Sequence, residues 1–362
     1  MSFARIRDQE VAVRLLRNVL GSNRVPNGLL FWGPSGVGKR LAAIEFAKAL
    51  NCPEGQGEAC DACLSCRRIE NRNHPDFKEI VPADRSCEIK KRQIDEITEL
   101  ASLRPFESQS RFFLIQDADR MNPSAQNHFL KTLEEPPGPS VFVLVTEYPR
   151  VLLPTIRSRC QAVRFRTLKP DTVRELLQRE RDLPEEQACA IAGLAQGQMA
   201  RALDLVDSER RDVVLAIVQR LADGEDPAGL AEEFARVLDS QRKQIEAEVG
   251  QGLEGEALAE ASREDLARLK EERAARLQAV VKRDIREFLY LLATWYRDEL
   301  VLAATHEPDK VLNQDQLARL ETTCRTAAPE KIAAIDRARQ HLDRFINEER
   351  VFRALFFALA AS

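Results

Sequence analysis

The sequence predicts an α/β fold, a P-loop domain on a parallel sheet, followed by an all-helical remainder. Three observations predict it. The string Gly33-Pro34-Ser35-Gly36-Val37-Gly38-Lys39-Arg40 fits the pattern G-x-x-x-x-G-K-[ST] at every position but the last. Short apolar runs at 29–32, 77–81, 112–115, 141–146 and 162–165 alternate with helical stretches at 41–50, 90–103 and 122–135. Such βα alternation calls for a buried parallel sheet. After Lys169-Pro170 no convincing strand follows.

Taken in order, the chain opens on MSFARIRDQEVAVRLL, which reads as a helix and lacks the apolar core of a signal peptide. The run 29–32 feeds the Gly-rich loop. That loop opens into 41–50, rich in helix formers, with apolar residues at 41, 44, 47 and 50. Strand, loop, helix is the context a phosphate loop requires. Beyond 170, short amphipathic helices are expected over 171–205, longer ones over 209–247 and an apolar-rich set over 284–361. Gly250, Gly252 and Gly255 interrupt the middle. The stretch 256–283 is highly charged with helical propensity and reads as an exposed helix or insertion.

Length and charge exclude some classes. At 362 residues, two or three domains are expected. A formal net charge of −4 gives no global attraction to nucleic acid or an anionic membrane, so such binding needs a local patch. No apolar run approaches the roughly 20 residues of a transmembrane helix. The expected location is the cytoplasm, without a membrane partner.

The phosphate loop carries the first candidate site. Gly33, Gly36 and Gly38 let backbone N–H groups curl round a phosphate, and Lys39 reaches its outer oxygens. The last motif position should hold Mg²⁺ through a hydroxyl. Arg40 has no acceptor for a cation. Whether ATP is retained here is left open, since Lys39 and the helix N-terminus still favour an anion. In 112–119, an apolar strand runs into Asp117, placed to hold Mg²⁺. A hydrolysing site would put a water-activating Glu next, but the chain has Ala118. Asp119, one residue on along an extended strand, points to the opposite face from Ala118. The losses at 40 and 118 strike metal and base separately, so intrinsic hydrolysis is not expected.

Eight cysteines occur, at 52, 60, 63, 66, 87, 160, 189 and 324. Cys52, Cys60, Cys63 and Cys66 have the spacing of a four-thiolate Zn²⁺ site, preferred here over an iron–sulfur cluster or plain thiols. A site closed by four thiolates is structural rather than catalytic. The scattered four are expected as small buried hydrophobes. The densest basic patch is Arg150, Arg157, Arg159, Arg164 and Arg166, with no acidic residue among them. Against a merely solvated face stands the reading that one arginine reaches a phosphate, of a neighbour's nucleotide or of DNA.

Five features occur in the order seen in bacterial clamp-loader subunits, which the chain therefore resembles. They are the phosphate loop, the four-cysteine insertion after its helix, Asn73-His74-Pro75-Asp76-Phe77, Leu130-Lys131-Thr132-Leu133-Glu134-Glu135-Pro136-Pro137, and Ser158-Arg159-Cys160. The motif-rich match covers about 1–166. The degenerate positions 40 and 118 resemble the delta-prime branch of the DNA polymerase III clamp loader rather than its tau/gamma motor branch. The resemblance implies an AAA+ nucleotide-binding-fold domain over 1–168 with the zinc insertion, a helical lid over 169–208, and a helical collar for oligomerisation over 209–362. It implies a non-hydrolysing stator that helps load the sliding clamp onto primed DNA, with tau/gamma motor subunits and delta as partners. It implies that Arg159 completes a neighbouring motor's ATP site in trans. It implies nucleotide-sensing positions at Thr146, which is retained, and at Ala200, where a motor would have an arginine. Arg201 is adjacent, and a one-residue shift would restore it.

Two other readings compete. A tau/gamma-like ATP-hydrolysing motor is opposed by residues 40, 118 and 200. A zinc-dependent nucleic-acid-binding module is opposed by Glu54, Glu58, Asp61 and Glu70 in the cysteine-rich loop, which is not strongly basic.

Overall fold

The short, continuous apolar runs decide the architecture, since residues on both faces of such strands must be buried. A computed structural model describes the chain except for residues 1, 23–24, 56, 83–87, 252–262, 324–327, 345–346 and 361–362. It divides into two compact units, Met1–Thr172 with Gly197–Ala200, and Val173–Gln196 with Arg201–Ser362.

In the first unit five strands form one sheet: β1 (Gly28–Trp32), β2 (Phe77–Ile80), β3 (Arg111–Ile115), β4 (Ser140–Thr146) and β5 (Gln161–Arg164). All pairings are parallel, in the order β2-β3-β4-β1-β5. The strand positions are those predicted, and so is the fold class. Alternate residues feed two cores. Leu29, Phe31, Phe112, Leu114, Val141 and Val143 pack with α1 (Glu10–Gly21) and α2 (Lys39–Asn51). Leu30, Phe113, Ile115, Phe142 and Leu144 pack with α4 (Lys91–Ser102), α5 (Pro123–Glu134) and α6 (Pro154–Arg159). Both faces are covered, so every residue of β4 is buried.

Helix α2 departs from its expected pattern. Leu41 and Leu50 only pack against the core from its margin, whereas Ala42, Ala43, Phe46, Ala47 and Ala49 are buried. The alanines at 42, 43, 47 and 49 lie on one side of the helix, and their small side chains let it sit tight against its neighbours.

His74-Pro75-Asp76-Phe77 leads into β2. The buried Asp76 carboxylate accepts N–H bonds from Phe106 at 2.7 Å, Glu107 at 2.9 Å and Ser108 at 3.0 Å. Burial alone would push this carboxyl up. The three donors and Arg111, 3.6 Å away, overcome it and hold the group below the usual carboxylate range. Asp76→Ala would leave three backbone donors without their acceptor and Arg111 without this counter-charge, and should cost about 3 kcal/mol. Asp76→Asn should cost less. Because the folded pKa is depressed, this contribution is full above the unfolded value of about 4 and is lost as pH falls through the folded one. Urea midpoints of the two variants against pH check both statements.

The second unit is helical, with no strand among the described residues. Helices α7 (Pro170–Arg181) and α9 (Met199–Asp207) have their first residues assigned to the first unit, and α8 (Glu185–Leu194) belongs to the second. They are followed by α10 (Arg210–Ala222), α11 (Pro227–Gln251), α12 (Arg263–Thr305), α13 (Leu317–Thr323), α14 (Ala328–Asp343) and α15 (Glu348–Ala360). Its core holds Phe234, Phe288, Phe352 and Phe356, with Phe234 stacked on Phe288 at 4.2 Å and edge-on to Phe352 at 4.9 Å. Most of the apolar residues expected in 285–296 and 354–359 are buried in this unit, while Phe357 stays 49% exposed. Gly250 does not break the chain but lies inside α11, whereas Gly252 and Gly255 fall outside the described residues. From 263 the charged stretch is helical, as part of α12; 256–262 falls outside the described residues.

Candidate functional site

The carboxyl ends of β1, β3 and β4 share one edge of the sheet, where open α/β sheets bind ligands. The phosphate loop leaves β1 there and ends at the N-terminus of α2. Gly33, Gly36 and Gly38 take φ angles of 149°, 68° and 93°. Gly36 is doubly constrained, because a Cβ on it would lie 2.3 Å from the Ala200 backbone nitrogen. Lys39 is buried and donates to the loop's own carbonyls, Gly33 at 2.6 Å and Pro34 at 2.5 Å. Burial pushes its ammonium pKa down, against the pull of Glu147, Asp117 and Asp119.

Arg40 is engaged away from the loop, by a strand of the sheet. It forks onto Glu79 of β2, with Nε to Oε1 at 2.6 Å and Nη2 to Oε2 at 2.8 Å. Glu79 is also bonded by Gln116 and approached by Arg72 at 3.3 Å. Burial would raise the Glu79 carboxyl, but Arg40 above all holds it low. The sequence reading missed Glu79, since nothing in a β2 pattern marks it as the partner of residue 40.

The strand carrying Asp117 needs a correction. β3 ends at Ile115, Asp117 takes a left-handed φ of 45°, and 118–120 form a 3₁₀ turn. Residues 118 and 119 therefore do not alternate as on an extended strand. Ala118 is fully buried and offers no acid or base. Asp117 is exposed and acts on Lys39 by charge alone among the described interactions. Asp119 accepts the hydroxyl of Thr146, which is buried at the end of β4 and accepts the Tyr148 N–H at 3.0 Å.

Ala200 sits on the loop, with the neighbouring Met199 N–H donating to Gly36 O at 3.2 Å. Arg201 instead forks onto Glu287 at 2.9 and 2.7 Å, with its guanidinium 3.9 Å above the Tyr290 ring. The residue at the loop is thus the alanine.

The four cysteines converge. All four Sγ atoms lie within 4.8 Å of one another. Tetrahedral Zn–S bonds of about 2.3 Å put sulfurs about 3.8 Å apart, so the set fits this metal. Cys63 N–H donates to Cys60 Sγ at 3.3 Å and Cys66 N–H to Cys63 Sγ at 3.4 Å. Such donors favour thiolates, and they draw Cys60 below the ordinary thiol pKa, while burial pushes Cys63 and Cys66 up. Helix α3 (Leu64–Glu70) starts at this knuckle.

An ion network centred on the buried Lys48 and Glu45 fastens the cysteine loop to α2. Lys48, 2% exposed, meets Glu45 at 2.9 Å, Asp61 at 2.8 Å and Glu70 at 2.8 Å. Arg5 joins Glu45 at 3.0 Å and Glu70 at 2.9 Å. Burial opposes the charge on Lys48, but its carboxylates win and raise its pKa. This network went unread in the sequence, although Glu45 and Lys48, three apart on a largely apolar helix, were the available signal. Of the scattered cysteines, Cys160 is buried, with its thiol pushed up to about 12 by burial. Cys189 is only half-buried, which corrects the expectation, and Cys87 and Cys324 lie outside the described residues.

Arg159 ends α6 and is exposed. Its Nη1 donates to Thr155 O at 3.2 Å, and its Nη2 lies 2.5 Å from Glu134 Oε1. Arg157, two residues earlier, is also exposed, and Arg164 lies 5.1 Å over the Trp32 ring.

Residues 8–169 match the family described as DNA polymerase III, delta subunit. The DNA polymerase III subunit delta' of Bacillus subtilis is 39% identical over 197 residues, which are 54% of this chain and 59% of that protein. The gamma/tau subunit of Mycoplasma pneumoniae is 30% identical over 226 residues, 59% of this chain and 32% of that one. The chain thus spans between a third and three fifths of these relatives. Among solved structures, a gamma subunit-related protein of Thermotoga maritima is 17% identical with a TM-score of 0.39, covering 98% of this chain and 99% of that one.

Proposed function

We propose that this chain, whose residues 8–169 match the DNA polymerase III delta-subunit family, belongs to that family and is the delta-prime-type stator of a bacterial clamp loader. It hydrolyses no nucleotide itself, lends Arg159 to the ATP site of an adjacent tau/gamma motor subunit, and so helps place the sliding clamp on primed DNA. Delta is a further partner, and the helical 209–362 segment is the collar through which the subunits join. Cys52, Cys60, Cys63 and Cys66 hold a structural Zn²⁺. The assembly works in the cytoplasm.

One contrast supports this reading. Within a single P-loop unit, the residues serving the chain's own nucleotide are disabled, while Arg159 is left exposed. Arg40 is spent on Glu79, and Ala118 is buried and inert. The likeness to gamma/tau subunits would favour a motor, but residues 40, 118 and 200 oppose it.

The purified chain should show no steady-state ATP turnover, because metal hydroxyl and water-activating carboxylate are both missing. Turnover abolished by Lys39→Ala would overturn the reading. Arg40→Thr with Ala118→Glu should not restore full activity while Ala200 remains. Affinity purification with motor and delta subunits, followed by mass spectrometry, tests the assembly, and a chain that joins neither is no stator.

A further inference from the structure

We propose that Glu134 is the positioning residue for Arg159. The proposal rests on the reading that Arg159 acts on a neighbour's nucleotide. A guanidinium at the end of a six-residue helix has a long, rotatable stem and should sample many orientations. Here two contacts from its own subunit hold it, Thr155 O at 3.2 Å and Glu134 Oε1 at 2.5 Å. Both engage the Nη atoms. A guanidinium has five N–H donors, so several remain for an incoming oxyanion.

The supports are themselves fixed. Thr155 lies one turn earlier on α6. Glu134 closes α5, which is anchored by the buried Ala125, Phe129 and Leu133. Behind Arg159, the buried Cys160 packs so near β1 that a Cβ on Gly28 would lie 2.9 Å from its sulfur. The guanidinium therefore stands on a rigid corner of the sheet domain and is aimed by a carboxylate from a second helix.

Both partners are partly solvated, with Arg159 39% and Glu134 45% exposed. An exposed pair is weak and easily shared. The doubly charged outer phosphate of a nucleotide can draw the same guanidinium without first breaking a buried bridge. Glu134 thus holds the orientation before the neighbour docks and does not withhold the group afterwards. Pre-set orientation of this kind acts on the rate of the chemical step rather than on nucleotide affinity.

The test is ATP turnover by the reconstituted complex of full-length subunits, with assembly checked by size-exclusion chromatography. Glu134→Ala should remove most of the share of turnover that Arg159→Ala removes. The loss should fall on kcat, roughly tenfold at the affected site, with KM for ATP unchanged. Glu134→Gln keeps the length and one acceptor oxygen and should lose less. The double variant Glu134→Ala with Arg159→Ala should match Arg159→Ala alone, because Glu134 acts only through the arginine.

A further loss in the double variant would overturn the proposal, since the carboxylate would then support something else. Full turnover with Glu134→Ala, beside a real loss with Arg159→Ala, would overturn it and leave the trans role standing. No loss from Arg159→Ala would remove both.

Discussion

Arg159→Ala should leave the chain folded and assembled, yet strip the complex of a substantial part of its clamp- and DNA-stimulated ATPase. The residue is exposed and its only described partners are Thr155 O and Glu134, so no core depends on it. An arginine that stabilises charge on the transferred phosphoryl group is worth about 10³–10⁵ in rate at its own site. The complex as a whole should lose the share contributed by that one site. Arg159→Lys should rescue poorly, because a point ammonium cannot reproduce the planar fork. Arg157→Ala is the control. It lies on the same short helix but two residues away, so it faces elsewhere, and it should leave ATPase largely intact. Equal losses from both changes would point to a diffuse electrostatic patch. An intact complex with undiminished ATPase after Arg159→Ala would remove the trans role.

The strands were legible because a parallel sheet covered on both faces demands short, dense apolar runs, and 141–146 is such a run throughout. The cysteine cluster was legible because close C-x-x-C spacings keep the thiols near one another. What escaped was set by contacts far apart in sequence. The fork from Arg40 to Glu79 joins residues 39 apart, and no local pattern marks either as the other's partner. The same holds for Arg159 and Glu134, and for the carboxylates around Lys48. Asp117 escaped for a different reason. Its left-handed φ of 45° ends the strand early, and an aspartate tolerates that conformation without announcing it. Position 200 was ambiguous by one residue in sequence. In the structure it is Ala200 that lies against Gly36.

Stripping the metal should destabilise the first unit more than any single surface change. Freshly purified chain should carry one Zn²⁺ by elemental analysis. The cysteine loop itself has a cluster of little more than Cys52, Ala59 and Cys66, a small core for a loop of this length, which a bound metal would supplement. Beyond it, Ile69 is buried in the sheet core, and the other anchors are ionic: Asp61 and Glu70 reach Lys48, which is 2% exposed, and Glu70 also meets Arg5. Release of the knuckle would take those carboxylates from a buried ammonium and leave Glu45 as its described neighbour. The effect should therefore spread into α2, whose first turn carries Lys39. A chelator, or Cys66→Ser, should cost about 3–5 kcal/mol and lower the thermal midpoint on the order of 10 °C. Cys189→Ser, at a half-buried site away from the cluster, should cost far less. Protons compete with Zn²⁺ for thiolates, so metal loss should become easier as pH falls, with acid accelerating transfer to a colorimetric chelator. Limited proteolysis should then cut within 53–65 in the stripped protein, while the sheet persists by circular dichroism. A chain carrying well under one zinc with its fold intact, or Cys66→Ser no more harmful than Cys189→Ser, would sink the structural role of the metal.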